Sequence, residues 1–437
     1  RRPVVFPTLE VMTRAARGPP LDDQGFAQEV RKLKFSDAHD LEVCCGIYAR
    51  AAGPLLREQL TVMEFRELAW SVREWELFVQ TLARCECLAS LSLSRMLTGC
   101  EARVLFKDAA LTLARLDLNN NDKFGAAGCA ALAAAIARGA MPRLAALSLE
   151  SCAVTSALLE ALPPHVLPHV TCLTLSRNAA FGSRGCAALA SALLRGALPA
   201  LRELDLAECQ VNSALFAPLD AGALSALTRL DLLHSEHFGA AGSLALAGAV
   251  QRGAMPSLTE LNLSRCGVTS ALFQGLQAGA FSALSSLLLD HNATLGEAGS
   301  VALGGAVQRG AMRGLREVSL SYCGVTSALF LGVGAGALPA LRKLELGCNL
   351  AFGDEGVSAL CCAAEHGAMP LLQELAMPTC AVTALPFLAL NAGALPALLQ
   401  LALCDNAEVG DAGCAALAGA VLRGAMPELR EVGDAGC

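Results

Sequence analysis

The sequence repeats itself with a period of 57 residues. Residues 263–273 read LSRCGVTSALF and residues 320–330 read LSYCGVTSALF. The pattern Leu-x-x-Leu-x-Leu, with Val, Cys or Met tolerated at the anchors, recurs in steps that alternate between 31 and 26 residues from Leu113 onward. Its starts are Leu88, Leu113, Leu144, Val170, Leu201, Leu227, Leu258, Leu284, Leu315, Leu341, Leu372, Leu398 and Leu429. This period is typical of stacked repeats, and it overrides the expectation of roughly three separate domains for a chain of this length.

Each repeat predicts one short strand and one outer segment. Anchors at the fourth and sixth positions lie two residues apart, so they fall on one face of a strand. The run GCAALAAAIARGAMP (128–142) then has apolar residues at helical spacing, and Gly139 and Pro142 end it. One such unit cannot bury both apolar faces alone, so neighbouring units must stack. The sequence therefore predicts an α/β solenoid, a horseshoe with parallel strands on the concave face and helices on the convex face.

The position eight residues after the first anchor distinguishes two repeat types. The longer type has Asn there, with Ser235 as the exception: Asn121, Asn178, Asn292, Asn349 and Asn406. The shorter type has Cys there: Cys152, Cys209, Cys266, Cys323 and Cys380. This alternation resembles the ribonuclease-inhibitor-like class of leucine-rich repeats over at least residues 88–437. The resemblance implies that these side chains turn inward and bond loop backbone that would otherwise be unpaired.

A Gly-x-x-Gly segment opens the outer part of each longer repeat, as in GAAG at 125–128 and GEAG at 296–299. A phosphate-binding loop is the alternative interpretation. No Lys-Ser/Thr follows the glycines, and a need for positive φ at every strand-to-helix turn explains all the copies. We therefore interpret these glycines as structural.

The repeats divide the chain into a degenerate N-terminal region at 1–87, which is either further repeats or a cap, and regular alternating repeats at 88–437. Within the first region, VRKLKF (30–35) fits the anchors, and a start at 57 would use Leu60 and Val62. Residues 64–85 are then predicted to be an outer helix. Its two tryptophans, Trp70 and Trp75, are expected in the core or cap rather than in a recognition site.

Both ends suggest a fragment. The chain opens with RRPVVFPTLE and has no initiator Met. It closes on VGDAGC, the same six residues as 409–414, which we interpret as an artefactual junction followed by no capping repeat. The final stretch is expected to be disordered or misfolded.

Charge and composition exclude several classes of protein. The net charge is −7 without a basic run, so neither nucleic acid nor an anionic membrane is an expected partner. Residues 375–404 lack any charge, but Pro378, Pro386 and Pro396 interrupt them, which disfavours a membrane span. The sequence contains no zinc-type Cys and His spacing among its 19 cysteines. We expect no metal and no cofactor, and we expect buried free thiols in a reducing, cytoplasmic compartment.

Function is expected on the concave strand face. The residue two after the first anchor alternates in charge along part of the row, so Arg229 with Glu260 and Glu317 with Lys343 are expected to pair across strands. Beside that row, other polar residues have fewer expected partners, and we predict that part of them forms an acidic docking surface for a basic protein. The candidate residues are Asp117, Asp205, Glu208, Asp231, His234, Arg265, Asp290, His291, Tyr322, Glu345 and Asp405.

Two functions remain open at this stage. The first is a non-catalytic, monomeric scaffold or sensor array that binds a protein partner. The alternative is a GTPase-activating protein similar to the Ran-activating leucine-rich-repeat family, with Arg177, Arg229 or Arg265 acting on a small GTPase. The long acidic tail that this family generally carries is missing here, which favours the scaffold. Ribonuclease inhibition is not supported, because Tyr322 is the only aromatic residue expected on the concave face.

Overall fold

The computed structural model describes residues 26, 46, 48–50, 54–107, 111–160 and 162–433. The strands of this part, in chain order, are β1 Val62–Arg66, β2 Ser90–Ser94, β3 Arg115–Asp117, β4 Ala146–Ser148, β5 Cys172–Thr174, β6 Glu203–Asp205, β7 Arg229–Asp231, β8 Glu260–Asn262, β9 Ser286–Leu288, β10 Glu317–Ser319, β11 Lys343–Glu345, β12 Glu374–Ala376, β13 Gln400–Ala402 and β14 Glu431–Gly433. The α-helices are α1 Val72–Leu82, α2 Gly99–Phe106, α3 Gly125–Ala137, α4 Gly182–Leu194, α5 Ser213–Phe216, α6 Gly239–Gln251, α7 Gly296–Gln308, α8 Gly353–Glu365, α9 Leu385–Leu388 and α10 Gly410–Leu422.

The chain forms two compact units, Arg1–Leu204 and Asp205–Cys437. In the first unit, β1 to β5 pair in parallel and in chain order. In the second unit, β7 to β14 do the same. Strands alternate with outer helices or helical turns in both units. Each unit is therefore an open α/β solenoid, which confirms the predicted fold class.

The leucine anchors form the core. In one repeat Leu258, Leu261 and Leu263 are all buried, and Leu261 stands in register with Leu287 on the next strand. The same register joins the central anchors of every paired strand in the second unit. Burying one Leu side chain stabilises the fold by about 1.5–3 kcal/mol, so a row of such anchors fixes both strand register and stacking.

The two glycines of each Gly-x-x-Gly segment have different roles. Gly239 begins α6 with φ of 48°, as a turn requiring positive φ predicts. Gly242 is helical instead, and a Cβ there would lie 2.5 Å from the Phe238 ring. The prediction that positive φ explains the glycines is right for the first glycine, whereas the second makes room for an aromatic side chain.

The shorter repeats have room for only a brief outer segment. It is a single 3-10 turn at Ser156–Leu158, Ser270–Leu272 and Ser327–Leu329, and one turn of α-helix at α5 and α9. Longer and shorter repeats thus place a thick and a thin element alternately behind the sheet.

The N-terminal prediction was partly wrong. Strand β1 buries Met63 and Phe65, while Val62 is exposed, so the anchors after Leu60 are Met63 and Phe65. The outer helix is α1, and residues 64–66 belong to β1 instead. In this degenerate repeat two hydrophobic alternations overlap, and burial selected the bulkier set.

Both tryptophans are in the core, as predicted. Trp70 and Trp75 lie with ring centroids 4.8 Å apart and an interplanar angle of 62°, and both contact Phe78. Edge-to-face contacts of this kind stabilise a pair beyond its buried area. The segment 30–35, the Cys44–Cys45 pair and the last four residues of VGDAGC lie outside the described residues.

Candidate functional site

An asparagine ladder supports the strand exits. Asn292 Oδ1 accepts hydrogen bonds from the backbone N–H groups of Cys266 and Val268 at 3.0 and 2.9 Å. Its Nδ2 donates to the carbonyls of Leu263 and Leu289 at 2.9 and 2.6 Å. Asn178, Asn349 and Asn406 repeat the arrangement. These bonds satisfy buried backbone groups of two successive coils, as the resemblance implied.

The cysteines of the shorter repeats add a weaker contact. Cys266 Sγ donates to the carbonyl of Leu232 at 3.0 Å, and Cys323 Sγ does the same to Leu289. Burial raises the pKa of both thiols to about 12. At neutral pH they are protonated, poorly nucleophilic and suited to donate. The sixteen cysteines within the described residues are all free thiols.

Ser235 breaks the ladder. Its side chain is completely buried, and its Oγ has no hydrogen-bond partner within the described residues. The backbone N–H of Val211, which corresponds to that of Val268, also has none there. A serine is too short to span the distance that the Asn side chain spans. This coil is therefore held less firmly than its neighbours.

The candidate aspartates at the strand ends support the backbone as well as carrying charge. Oδ1 of Asp117, Asp205 and Asp231 accepts from the N–H two residues later at 2.9–3.0 Å. Asp290 Oδ1 accepts from the Ser321 N–H at 2.8 Å. Our expectation that this row has fewer partners than the alternating row was wrong, because local turn geometry supplies partners that strand pairing does not.

The predicted charge ladder is present in the second unit. Arg229 Nε donates to Glu260 at 2.8 Å, and Lys343 Nζ lies 3.2 Å from Glu317 and 2.8 Å from Glu345. The hydrogen bond to Glu345 is the main cause that raises the pKa of Lys343. Because these side chains are well exposed, each pair contributes only about 0.2–1 kcal/mol. The pairs mainly neutralise part of the face.

The strand-exit residues share one unusual backbone conformation. Glu208, His234, Arg265, His291, Tyr322 and Asp405 all have φ between 55° and 59°. The backbone N–H of each residue from His234 to Tyr322 in this series donates to a carbonyl of the next coil at 2.8–2.9 Å. The polypeptide therefore remains laddered beyond the strands. Sequence patterns did not reveal this conformation, because His, Arg and Tyr are not the residues that usually mark positive φ.

Four of the candidate residues form one cluster, on consecutive coils. We name His234, Arg265, His291 and Tyr322 the strand-exit cluster. The rings of His291 and Tyr322 stack with centroids 4.4 Å apart and an interplanar angle of 9°. His234, Arg265 and His291, together with Glu236 and Gly267, line a depression of about 310 Å³. Glu208 lies one coil before this cluster, and Asp405 lies three coils after it.

The arginines nominated for GTPase activation differ in their surroundings. Arg177 lies 3.2 Å from Glu150, and Arg229 pairs with Glu260. Arg265 makes no ion pair or side-chain hydrogen bond with the described residues. The two histidines of HSEH diverge as expected, since His234 meets Glu236 at 3.3 Å and His237 contacts Gln210. No group of three metal-ligating side chains occurs in the part of the chain that the structure describes.

The comparisons agree with the fold. Residues 110–133, 166–190, 254–271 and 338–361 match the family model "Leucine Rich repeat". The repeats and the parallel strands together define the class as an α/β leucine-rich-repeat solenoid. A search of curated proteins found no match.

One similar solved structure is the "Crystal structure of Rad7 and Elc1 complex in yeast". Its TM-score is 0.44 at 15% identity, and the alignment covers 89% of this chain and 90% of that one. None of the helices in the described ranges has the length and apolar character that crossing a membrane requires.

Proposed function

We propose that the protein is a non-catalytic scaffold, or a sensor array, that binds a protein partner. The docking surface would be the open face of the second unit, which consists of the strand residues pointing away from the helices and the strand-exit residues. Leucine-rich repeats support this class of function, since their stacked strands present a long row of variable side chains on a rigid backbone. The site belongs to that row and contains no catalytic group.

Charge on the open face carries the proposal. Ten carboxylates stand there against three cations. The carboxylates are Asp205, Glu208, Asp231, Glu260, Asp290, Glu317, Glu345, Glu374, Asp405 and Glu431, and the cations are Arg229, Arg265 and Lys343. The pairs of Arg229 and Lys343 neutralise only a minority of them. A surface of this kind attracts a basic partner and accelerates its association.

Further parts of the proposal concern the whole protein. The alternation of Asn and Cys repeats favours the ribonuclease-inhibitor-like subclass, with irregular repeats or a cap at 1–87 and regular repeats at 88–437. Free thiols favour work in a reducing cytoplasm. We propose a monomer that binds neither nucleic acid nor membrane.

Charge reversal tests this function. Glu260→Lys with Glu374→Lys changes two exposed carboxylates of the open face while sparing the aspartates that hold turns. The matched control is Glu297→Lys with Glu355→Lys, on the outer helices α7 and α8. Circular dichroism checks folding, and captured proteins from a cell lysate are identified by mass spectrometry at low and high salt.

Parent and control are expected to capture the same discrete, basic proteins, with capture weakening as salt rises. The open-face variant is expected to lose them. Identical capture by all three proteins, or no specific capture by the parent, would contradict a docking role for this face.

A further inference from the structure

The fold requires the backbone conformation of the strand-exit cluster but not its side chains. The equivalent position has positive φ in other coils, where it is occupied by the smaller residues Ser151, Cys348 and Thr379. Positive φ costs a large L-residue on the order of 1 kcal/mol or more. Four large polar side chains on consecutive coils are therefore not explained by stacking. Such strain at an exposed position points to recognition.

Strand spacing brings these four side chains close together. His234, Arg265 and His291 bond through their N–H groups to the coil that follows, so they stand about 4.8 Å apart, the spacing of neighbouring strands. The stack of His291 on Tyr322 gives a flat surface at one end, and Tyr322 is 49% exposed. At the other end Glu236 holds His234. Arg265 lies between them, on the wall of the depression.

Arg265 differs from the other two cations of the open face. Arg229 and Lys343 are paired with carboxylates, whereas Arg265 has no such partner within the described residues. A guanidinium presents a planar set of donors that fits a carboxylate through two parallel hydrogen bonds. The vacant donors of Arg265 face a depression large enough for a side chain.

We propose that the strand-exit cluster binds one Asp or Glu side chain of the partner, which Arg265 engages in a bidentate pair beside the His291 and Tyr322 rings. This inference rests on the proposed function and adds a specificity to it. The partner segment would be basic along most of its length and would carry one acidic residue. Arg265 then fixes the register, because any shift would place that acid against a carboxylate.

The surroundings favour a carboxylate over a phosphate. Glu236 lines the same depression, and Asp290 precedes His291 in the chain. A phosphate group carries about −1.5 to −2 charges at neutral pH, against −1 for a carboxylate, so these neighbours would repel it more strongly. One unpaired arginine balances a single negative charge.

A peptide selection tests the inference. A phage-displayed library of random peptides is selected against the parent chain, the Arg265→Glu variant and the Arg313→Ala control, whose arginine is exposed away from the open face. Parent and control are expected to enrich peptides with one Asp or Glu among Lys and Arg. The Arg265→Glu variant is expected to keep the basic residues and lose the acidic one.

The outcomes separate the two proposals. If Arg265→Glu and the parent enrich the same basic peptides with no acidic position, the carboxylate site is wrong while the basic docking face stands. If the parent enriches no basic peptides, both are wrong.

Synthetic peptides then identify the anion. The best selected peptide is made with Asp, Asn or phosphoserine at the acidic position, and its dissociation constant is measured. We expect the Asp form to lose about 10-fold to 100-fold in affinity on Arg265→Ala, the range typical of hydrogen bonds to charged groups. Tighter binding of the phosphoserine form, or equal binding of Asp and Asn, would overturn the proposed carboxylate.

Discussion

Asn292 and Cys266, on neighbouring coils, are joined by a hydrogen bond of 3.0 Å from the Cys266 backbone N–H to the Asn292 Oδ1. The same asparagine bonds three further backbone groups, two of them in the coil of Cys266. One side chain therefore replaces the water that a strand exit would otherwise bind. This is how the fold closes its turns while leaving the strand-exit side chains on the surface.

Removing this amide should destabilise the second unit strongly. Asn292→Ala leaves the N–H groups of Cys266 and Val268 and the carbonyl of Leu263 buried without these partners. Each such group costs about 1–3 kcal/mol, so we expect the free energy of unfolding to fall by about 3 kcal/mol or more. Urea unfolding followed by circular dichroism measures it. The exposed Glu297→Ala should change stability by about 0.5 kcal/mol at most, and a similar small effect of Asn292→Ala would contradict the role of the ladder.

Restoring the broken position should have the opposite effect. Ser235→Asn supplies an amide to the N–H of Val211 and to the carbonyl of Leu206, the counterparts of the groups that Asn292 bonds. We expect a gain of about 1–2 kcal/mol in unfolding free energy, typical of one or two added net hydrogen bonds. The midpoint of urea unfolding reports the change, with Ser235→Ala as control. Lower stability of the Asn variant than of the Ala variant would show that the coil lacks space for the amide.

Much of the fold could be predicted because burial repeats with the period. The anchors around Leu261 recur at fixed spacing, and their side chains have only one apolar environment available. The roles of Asp205 and Asp231 could not be predicted in the same way, since the pattern places a carboxylate on the open face without showing that a local N–H will claim one oxygen. Likewise, nothing in the letters His, Arg and Tyr indicates a left-handed backbone. In β1, overlapping apolar residues gave the wrong anchors because no repeat of known register was near enough to choose between Val62 and Met63.

The buried thiols should make stability fall at alkaline pH. Burial raises the pKa of Cys152, Cys266 and Cys323 from 9.0 to about 12. In the unfolded chain they would ionise near pH 9, so the folded state holds more protons between pH 9 and 12. Their contribution is thus fully present below about pH 9 and is lost as pH rises through that window, by up to about 1.4 kcal/mol per pH unit for each thiol.

Urea unfolding between pH 7 and 10.5 measures this dependence. Cys323→Ala should make the alkaline slope shallower by the share of one thiol, whereas Cys362→Ala, an exposed cysteine, should leave it unchanged. Equal slopes for the parent and Cys323→Ala would contradict the assignment to buried thiols.

The second glycine of the Gly-x-x-Gly segment should tolerate no side chain. Gly242→Ala would place its Cβ 2.5 Å from the Phe238 ring, which is itself completely buried. The ring must shift within a packed core, so we expect a loss of about 1–3 kcal/mol even though alanine favours helix more than glycine does. Gly334→Ala is the matched control, since a Cβ there meets no atom within 4 Å and its backbone is not left-handed. Unfolding free energies from urea denaturation compare the two variants. If Gly242→Ala proves as stable as Gly334→Ala, the phenylalanine has room to move, and the second glycine is not needed for its packing.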